Sequence, residues 1–164
     1  MAINFTMLSI LIVEDNKEMQ SIIASILDDI GVKRIRMATN GEAAFNAFRQ
    51  ENNDVILCDW EMPEMGGIEL VKLVRKSPMS PNRVVPVVMI TGYNALERIH
   101  AARDAGVTEY VIKPFTAQNL ISRLTHVINH PRDFVESDDY TGPDRRRRKM
   151  PDYKGPHRRD DDKK

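Results

Sequence analysis

The sequence is poor in cysteine, in long apolar runs and in aromatic residues, and it has no excess of either charge. Cys58 is the one cysteine in 164 residues. That excludes an intramolecular disulfide framework and fits a reducing cytosol, so a cytoplasmic location is expected. No stretch approaches the roughly 20 apolar residues needed to cross a bilayer. Met1 to Ser9 carries no Lys or Arg ahead of its apolar run, and that run soon meets Glu14-Asp15. A secretory signal is therefore not expected. Aromatic residues make up 6%, and 24 Lys+Arg face 24 Asp+Glu. Neutrality excludes a chain that is basic or acidic throughout, but it does not exclude a basic segment.

What remains is 41% hydrophobic residues in a length that suits one ordinary domain. Composition shifts at Pro131. Beyond it the large apolar residues are Phe134, Val135, Tyr140, Met150 and Tyr153, too few to offset the entropy of ordering the segment. The chain therefore divides into a globular unit, residues 7–130, and a tail, residues 131–164, expected to be disordered.

Within the globular unit, short apolar runs alternate with helical patterns. Strands are predicted at Leu8–Val13, Lys33–Ala38, Asp54–Asp59, Val84–Thr91 and Thr108–Ile112. Helical spacing runs from Met19 through Ile22, Ile23, Ile26 and Leu27 to Ile30, with Gly31 as its stop. Thr39 with Glu42 forms a capping-box pattern that opens a second helix through Phe45 and Phe48. Further helices are predicted around Ile68–Val74, Ala95–Ala105 and Thr116–Asn129, the last with Phe115 and Leu120 as a hydrophobic staple. Five strand–helix pairs imply an α/β fold: right-handed crossovers and a parallel sheet covered on both faces.

Such folds place their sites at the carboxyl ends of the strands. Strand one ends in Glu14-Asp15, strand three in Asp59, strand four in Thr91, and Lys113-Pro114 follows strand five. Three carboxylates held close repel one another unless a cation sits between them. A hard divalent ion such as Mg2+ suits them. Lys113 and Thr91 add a positive charge and a donor, so the group would neutralise a phosphoryl in transfer and leave one carboxylate as nucleophile.

Four motifs occur in order: Leu11-Ile-Val-Glu-Asp15-Asn, Asp59 with Met62-Pro63-Glu-Met-Gly66-Gly67, Thr91-Gly92, and Tyr110-Val-Ile-Lys113-Pro114-Phe115. Together they resemble the receiver domain of bacterial two-component response regulators, the CheY-like fold. The resemblance implies a flavodoxin-like (βα)5 sheet of order 2-1-3-4-5. It implies Asp59 as phosphoacceptor and Glu14, Asp15, Asp59 and the backbone carbonyl of Glu61 as Mg2+ ligands. Thr91 and Lys113 would contact phosphoryl oxygens, Thr91 and Tyr110 would form a switch, and the Lys113–Pro114 bond would be cis. The implied partner is a sensor histidine kinase or histidine phosphotransfer protein. A downstream protein would be met on the face of helix four, strand five and helix five, including Leu96, Ile99, Ala102 and Tyr110. No output domain follows residue 130 in this sequence, which suggests signalling by protein contact or service as a phosphate sink for a shared kinase.

Glu61 and Tyr93 lie two residues after Asp59 and Thr91, where Tyr93 would shield an acyl phosphate and Glu61 would repel or orient water. Trp60 is placed to report on Mg2+ binding by its fluorescence. Cys58 reads as buried packing, and His126 with His130 as a structural pair. No Gly/Ser/Thr-rich phosphate loop follows strand one, which argues against a flavin site.

The tail contains a repeat. Asp139-Tyr-Thr-Gly-Pro-Asp-Arg145-Arg recurs thirteen residues later as Asp152-Tyr-Lys-Gly-Pro-His-Arg158-Arg, and Arg145 to Arg159 includes eight basic residues and one acid. The bland reading is a solubilising segment. The sharper one is a linear motif for an acidic partner, RNA or anionic lipid, with a receiver-gated nucleic-acid-binding protein as the alternative function.

Overall fold

The computed structural model describes residues 2–92 and 96–145. After a short 3-10 turn at Phe5–Met7 come β1 (Ser9–Val13), α1 (Lys17–Asp29), β2 (Arg34–Ala38), α2 (Gly41–Gln50), β3 (Val55–Asp59) and α3 (Gly67–Lys76). Then follow β4 (Val87–Thr91), α4 (Leu96–Ala105), β5 (Glu109–Ile112), α5 (Ala117–Asn129), β6 (Phe134–Glu136) and β7 (Thr141–Pro143). The first five strands form one parallel sheet of order β2-β1-β3-β4-β5. The doubly wound α/β fold and its strand order are as expected.

The three central strands are buried at every residue, because helices cover both faces. Alternate side chains divide between two cores. Leu11, Val13, Ile56, Cys58, Val87 and Met89 pack with Phe48, Leu70, Val71 and Val74 of α2 and α3. Ile10, Ile12, Val55, Leu57, Val88 and Ile90 pack with Ile23 and Leu27 of α1 and with Leu120, Leu124 and Val127 of α5. Each fully buried Leu or Ile contributes about 1.5–3 kcal/mol.

Local signals set the helix ends. Gly31 has φ +103°, the left-handed geometry that ends α1. Thr116 and Asn119 complete a reciprocal capping box at the start of α5, and Phe115 packs in the same core as Leu120. The capping box expected of Thr39 and Glu42 is not what opens α2. Asn40 caps that helix by accepting from the Ala43 N–H, one residue later than the pattern suggested. β4 also begins later than Val84, which is exposed ahead of Pro86. Pro86 has no N–H to give the ladder.

The largest departure lies beyond residue 130. Residues 131–145 are ordered, against the expectation of disorder from 131 onward. β6 and β7 form an antiparallel hairpin, and Tyr140, Thr141, Gly142 and Pro143 are buried. The hairpin contains few apolar residues of its own. It is held instead by docking on the domain: Arg132 donates to the Thr108 carbonyl (3.2 Å), Arg145 pairs with Asp104 (3.0 Å), and Arg83 with Glu136 (3.6 Å). The second copy of the tail repeat lies outside the described residues, as do the arginines between the copies.

Candidate functional site

The sheet reverses its winding between β1 and β3, with β2 on one side and β4-β5 on the other, and that crevice is where doubly wound folds bind ligands. Glu14 follows β1 and is 2% exposed, Asp59 closes β3 at 8%, and Thr91 closes β4 at 3%. Asp15 is exposed beside them. Carboxylate oxygens of Glu14, Asp15 and Asp59 all lie within 4.8 Å of one another. Lys113 reaches across from β5. Its N–H donates to the Thr91 carbonyl (2.7 Å), its peptide bond to Pro114 is cis, and its Nζ lies 3.2 Å from Asp59 Oδ1 and 3.3 Å from Glu14 Oε2.

The donors around Asp59 are one-sided. The Trp60 N–H (2.9 Å) and the Lys113 ammonium both go to Oδ1. Both Glu14 oxygens are engaged, Oε1 by the Asn16 N–H (3.1 Å) and Oε2 by Lys113. Gly67 makes the close approach beneath this site possible. A Cβ there would sit 2.4 Å from the Asp59 carbonyl oxygen and 2.9 Å from Met89 Sδ. In the sequence, Gly66-Gly67 stands out only as the end of the motif that follows Asp59.

One ammonium does not balance three carboxylates. Burial raises the Asp59 carboxyl above its ordinary range, against the lowering pull of Lys113 and the Trp60 N–H. Burial also raises Glu14, with the Asn16 N–H pulling it down and Asp59 adding repulsion. For Lys113, burial lowers the pKa, but Asp59 and Glu14 more than offset this and leave it raised. Hard oxygen donors with uncompensated negative charge are what a Mg2+ ion requires, so the residues present fit that cation.

A pH dependence follows. Without a divalent cation, the folded chain keeps protons on Asp59 and Glu14 at pH values where the unfolded chain has lost them. Their contribution to stability is present below the ordinary carboxylate range of about 4 and is lost as pH rises through the raised folded values. Chelator-treated protein scanned upward from about pH 4 is expected to lose melting temperature on this account, and Asp59→Asn to lose less. Equal slopes for the two would contradict it.

The remaining sequence candidates fall around the site or away from it. The Glu61 side chain is exposed and pairs with Arg98 (3.0 Å), whose guanidinium lies 5.0 Å over the half-buried Trp60 ring. That tie was not foreseen, because Arg98 stands 37 residues from Glu61 with no local signal. Tyr110 is half-buried on β5 against the core, and Tyr93 lies outside the described residues. Of the side chains assigned to an outward face, Leu96 is 66% exposed but Ala102 is 3% exposed. Ala102 belongs to the core and is not available to a partner. Cys58 is buried and its thiol pKa is pushed up, by burial first and then by Asp59 and Glu14, so it packs and does not react. His126 and His130 are exposed and stack at 4.9 Å.

With this geometry in place the chain can be compared with known proteins. Residues 10–125 match the family model of the response regulator receiver domain. The chemotaxis protein CheY of Pseudomonas aeruginosa is 37% identical over 120 residues, covering 73% of this chain and 95% of that protein. Chemotaxis protein CheY-3 of Vibrio cholerae is 36% identical over 120 residues, covering 73% and 91%. Among solved structures, Vibrio cholerae CheY4 superposes with a TM-score of 0.68 at 29% identity, covering 74% of this chain and 98% of that one. The receiver domain of a Pseudomonas aeruginosa sensor histidine kinase superposes at 0.67 and 27% identity, covering 74% and 98%, and was solved with a magnesium ion coordinated in its active-site cleft. The chain belongs to the response regulator receiver domain family. Among the described residues no helix is long and apolar enough to cross a membrane.

Proposed function

We propose that this receiver accepts a phosphoryl group on Asp59 from the phosphohistidine of a sensor kinase or phosphotransfer protein. The carrying observation is Lys113 bridging Asp59 and Glu14 inside a buried acidic cluster. Because both donors go to Asp59 Oδ1, Oδ2 is the oxygen left to attack. A new Oδ2–P bond forms as the P–N bond to the donor imidazole breaks, and that bonding pair stays on the imidazole nitrogen. Lys113 and the Thr91 hydroxyl then take two of the phosphoryl oxygens. Glu14, Asp15, Asp59 and the Glu61 carbonyl would hold Mg2+, which supplies neutralisation of negative charge on the phosphoryl group.

Signalling would be a population shift, limited by how differently the phosphoryl group contacts the two conformers. Thr91 and Tyr110 are the proposed two-state element. The proposed contact surface for a downstream protein is α4–β5–α5, with Leu96, Ile99 and Tyr110 as its apolar part.

Incubation with Mg2+ and a small acyl phosphate, followed by intact mass, tests the reading. One added phosphoryl group is expected, with none when a chelator replaces Mg2+. No gain under conditions that label the relatives named above would overturn it.

A further inference from the structure

The first copy of the tail repeat is held in a groove of its own domain, and the residues that hold it are the ones the second copy keeps. The groove lies between the end of α3, at Arg75, and the turn that leads from α4 to β5. Its floor is Gly106, at φ +103°, where a Cβ would meet Arg75 Cγ at 3.0 Å. Tyr140 is 7% exposed, and its hydroxyl donates to the Pro143 carbonyl at 2.6 Å. Gly142 lies so close that a Cβ on it would be 2.6 Å from Tyr140 Oη and 2.9 Å from Gly106 Cα. The Arg145 guanidinium stacks 4.4 Å from the Tyr140 ring centroid and bonds Asp104 at 3.0 Å. Tyrosine, glycine and arginine are thus each tied to a specific contact, and Pro143 contributes its backbone carbonyl.

Thirteen residues on, the same four types stand at the same spacing: Tyr153, Gly155, Pro156 and Arg158. The positions that change are Thr141, replaced by Lys154, and Asp144, replaced by His157. Pairing of β7 with β6 runs through backbone groups, which any sequence but proline at a donor position supplies. Agreement between what is repeated and what makes contact points to one groove serving both copies.

We propose that this groove reads the sequence Tyr-x-Gly-Pro-x-Arg, and that Tyr153–Arg159 is a second, weaker occupant of it within the same chain. It is weaker for two reasons. Three residues join Glu136 to Tyr140 and sixteen join it to Tyr153, so loop closure alone disfavours the second copy about tenfold. Lys154 would also take the buried place of Thr141 and must lead its ammonium out along the stem. The first copy is therefore the resident. The inference uses no part of the phosphotransfer reading and stands or falls apart from it.

Full-length variants test it. Tyr153→Ala is expected to leave the melting temperature within about 1 °C of wild type. Tyr140→Ala is expected to lose a few degrees and the double variant roughly 6–12 °C, because only then is the groove empty. Equal losses for Tyr140→Ala and the double variant would overturn the proposal. A second readout does not need the double variant to fold. In Tyr140→Ala, a nitroxide on Asp160→Cys, just beyond the second copy (Cys58 being buried and unreactive), is expected to broaden the amides of Asp104 and Gly106. No broadening overturns the proposal. So does equal broadening when label and reporter are on different molecules, since the occupant would then come from a second chain.

Discussion

Asp59→Asn is expected to take up a phosphoryl group from a small acyl phosphate at less than about a hundredth of the wild-type rate. The change is nearly isosteric, so the fold should persist. What it removes is the proposed nucleophile: an amide oxygen has too little basicity to displace the leaving group. Neighbouring carboxylates do not substitute. Both Glu14 oxygens already accept, from Asn16 and from Lys113, and attack through either would break a contact that holds a buried charge. Asp15 is exposed, and the Lys113 ammonium is engaged by Asp59 and Glu14. The same variant relieves repulsion in the metal-free cluster, so its melting temperature should rise by about 2–5 °C in chelator. Uptake falling while stability rises separates loss of the acceptor from loss of the fold. Mass gain at the wild-type rate in Asp59→Asn would move the acceptor elsewhere.

The sheet and the acidic edge were legible because both are written in local pattern. Buried parallel strands appear as short apolar runs, and residues that end such runs share one edge of the sheet by topology alone. Glu14, Asp59 and Thr91 needed no knowledge of packing to be placed together. The hairpin at 131–145 was hidden for the opposite reason. Phe134, Val135 and Tyr140 are too few to form a core, and disorder is the sound inference when a segment must stabilise itself. Here Tyr140 is buried in a segment whose Gly142 and Arg145 meet Gly106 and Asp104, well over thirty residues earlier in the chain. Ala102 was misplaced because a small residue on α4 carries no signal of which side it faces. Arg98 was missed because its partners, Glu61 and Trp60, come from a different loop.

Arg75 was hidden more deeply still, and replacing it should have the largest effect on stability. In sequence, Arg75-Lys76 looks like a solvated pair at the end of α3, favourable to the helix dipole. In the structure Arg75 is fully buried and is the largest of the fully buried side chains. Burial, opposed by Tyr140, lowers its pKa to about 10, so it remains charged at neutral pH. Among the described residues its hydrogen-bond partners are neutral: the carbonyls of Gly106 (3.0 Å), Arg83 (2.6 Å) and Val85 (2.7 Å), and the Thr108 hydroxyl at 3.4 Å. Phe134 of the hairpin lies 5.9 Å over the guanidinium. One planar side chain thus ties the end of α3 to the loop before β4, to the turn after α4, and to the tail. Arg75→Ala leaves two buried carbonyls and one half-buried carbonyl without this donor and opens a cavity, at a cost of about 3–5 kcal/mol. That corresponds to a loss of roughly 10–15 °C in melting temperature. Arg75→Lys keeps the charge, but its single ammonium cannot span acceptors arranged for a fork, so it should recover no more than about half of the loss. Calorimetry on the two variants decides the matter. A loss under about 3 °C for Arg75→Ala would mean that water satisfies those carbonyls as well as the guanidinium does.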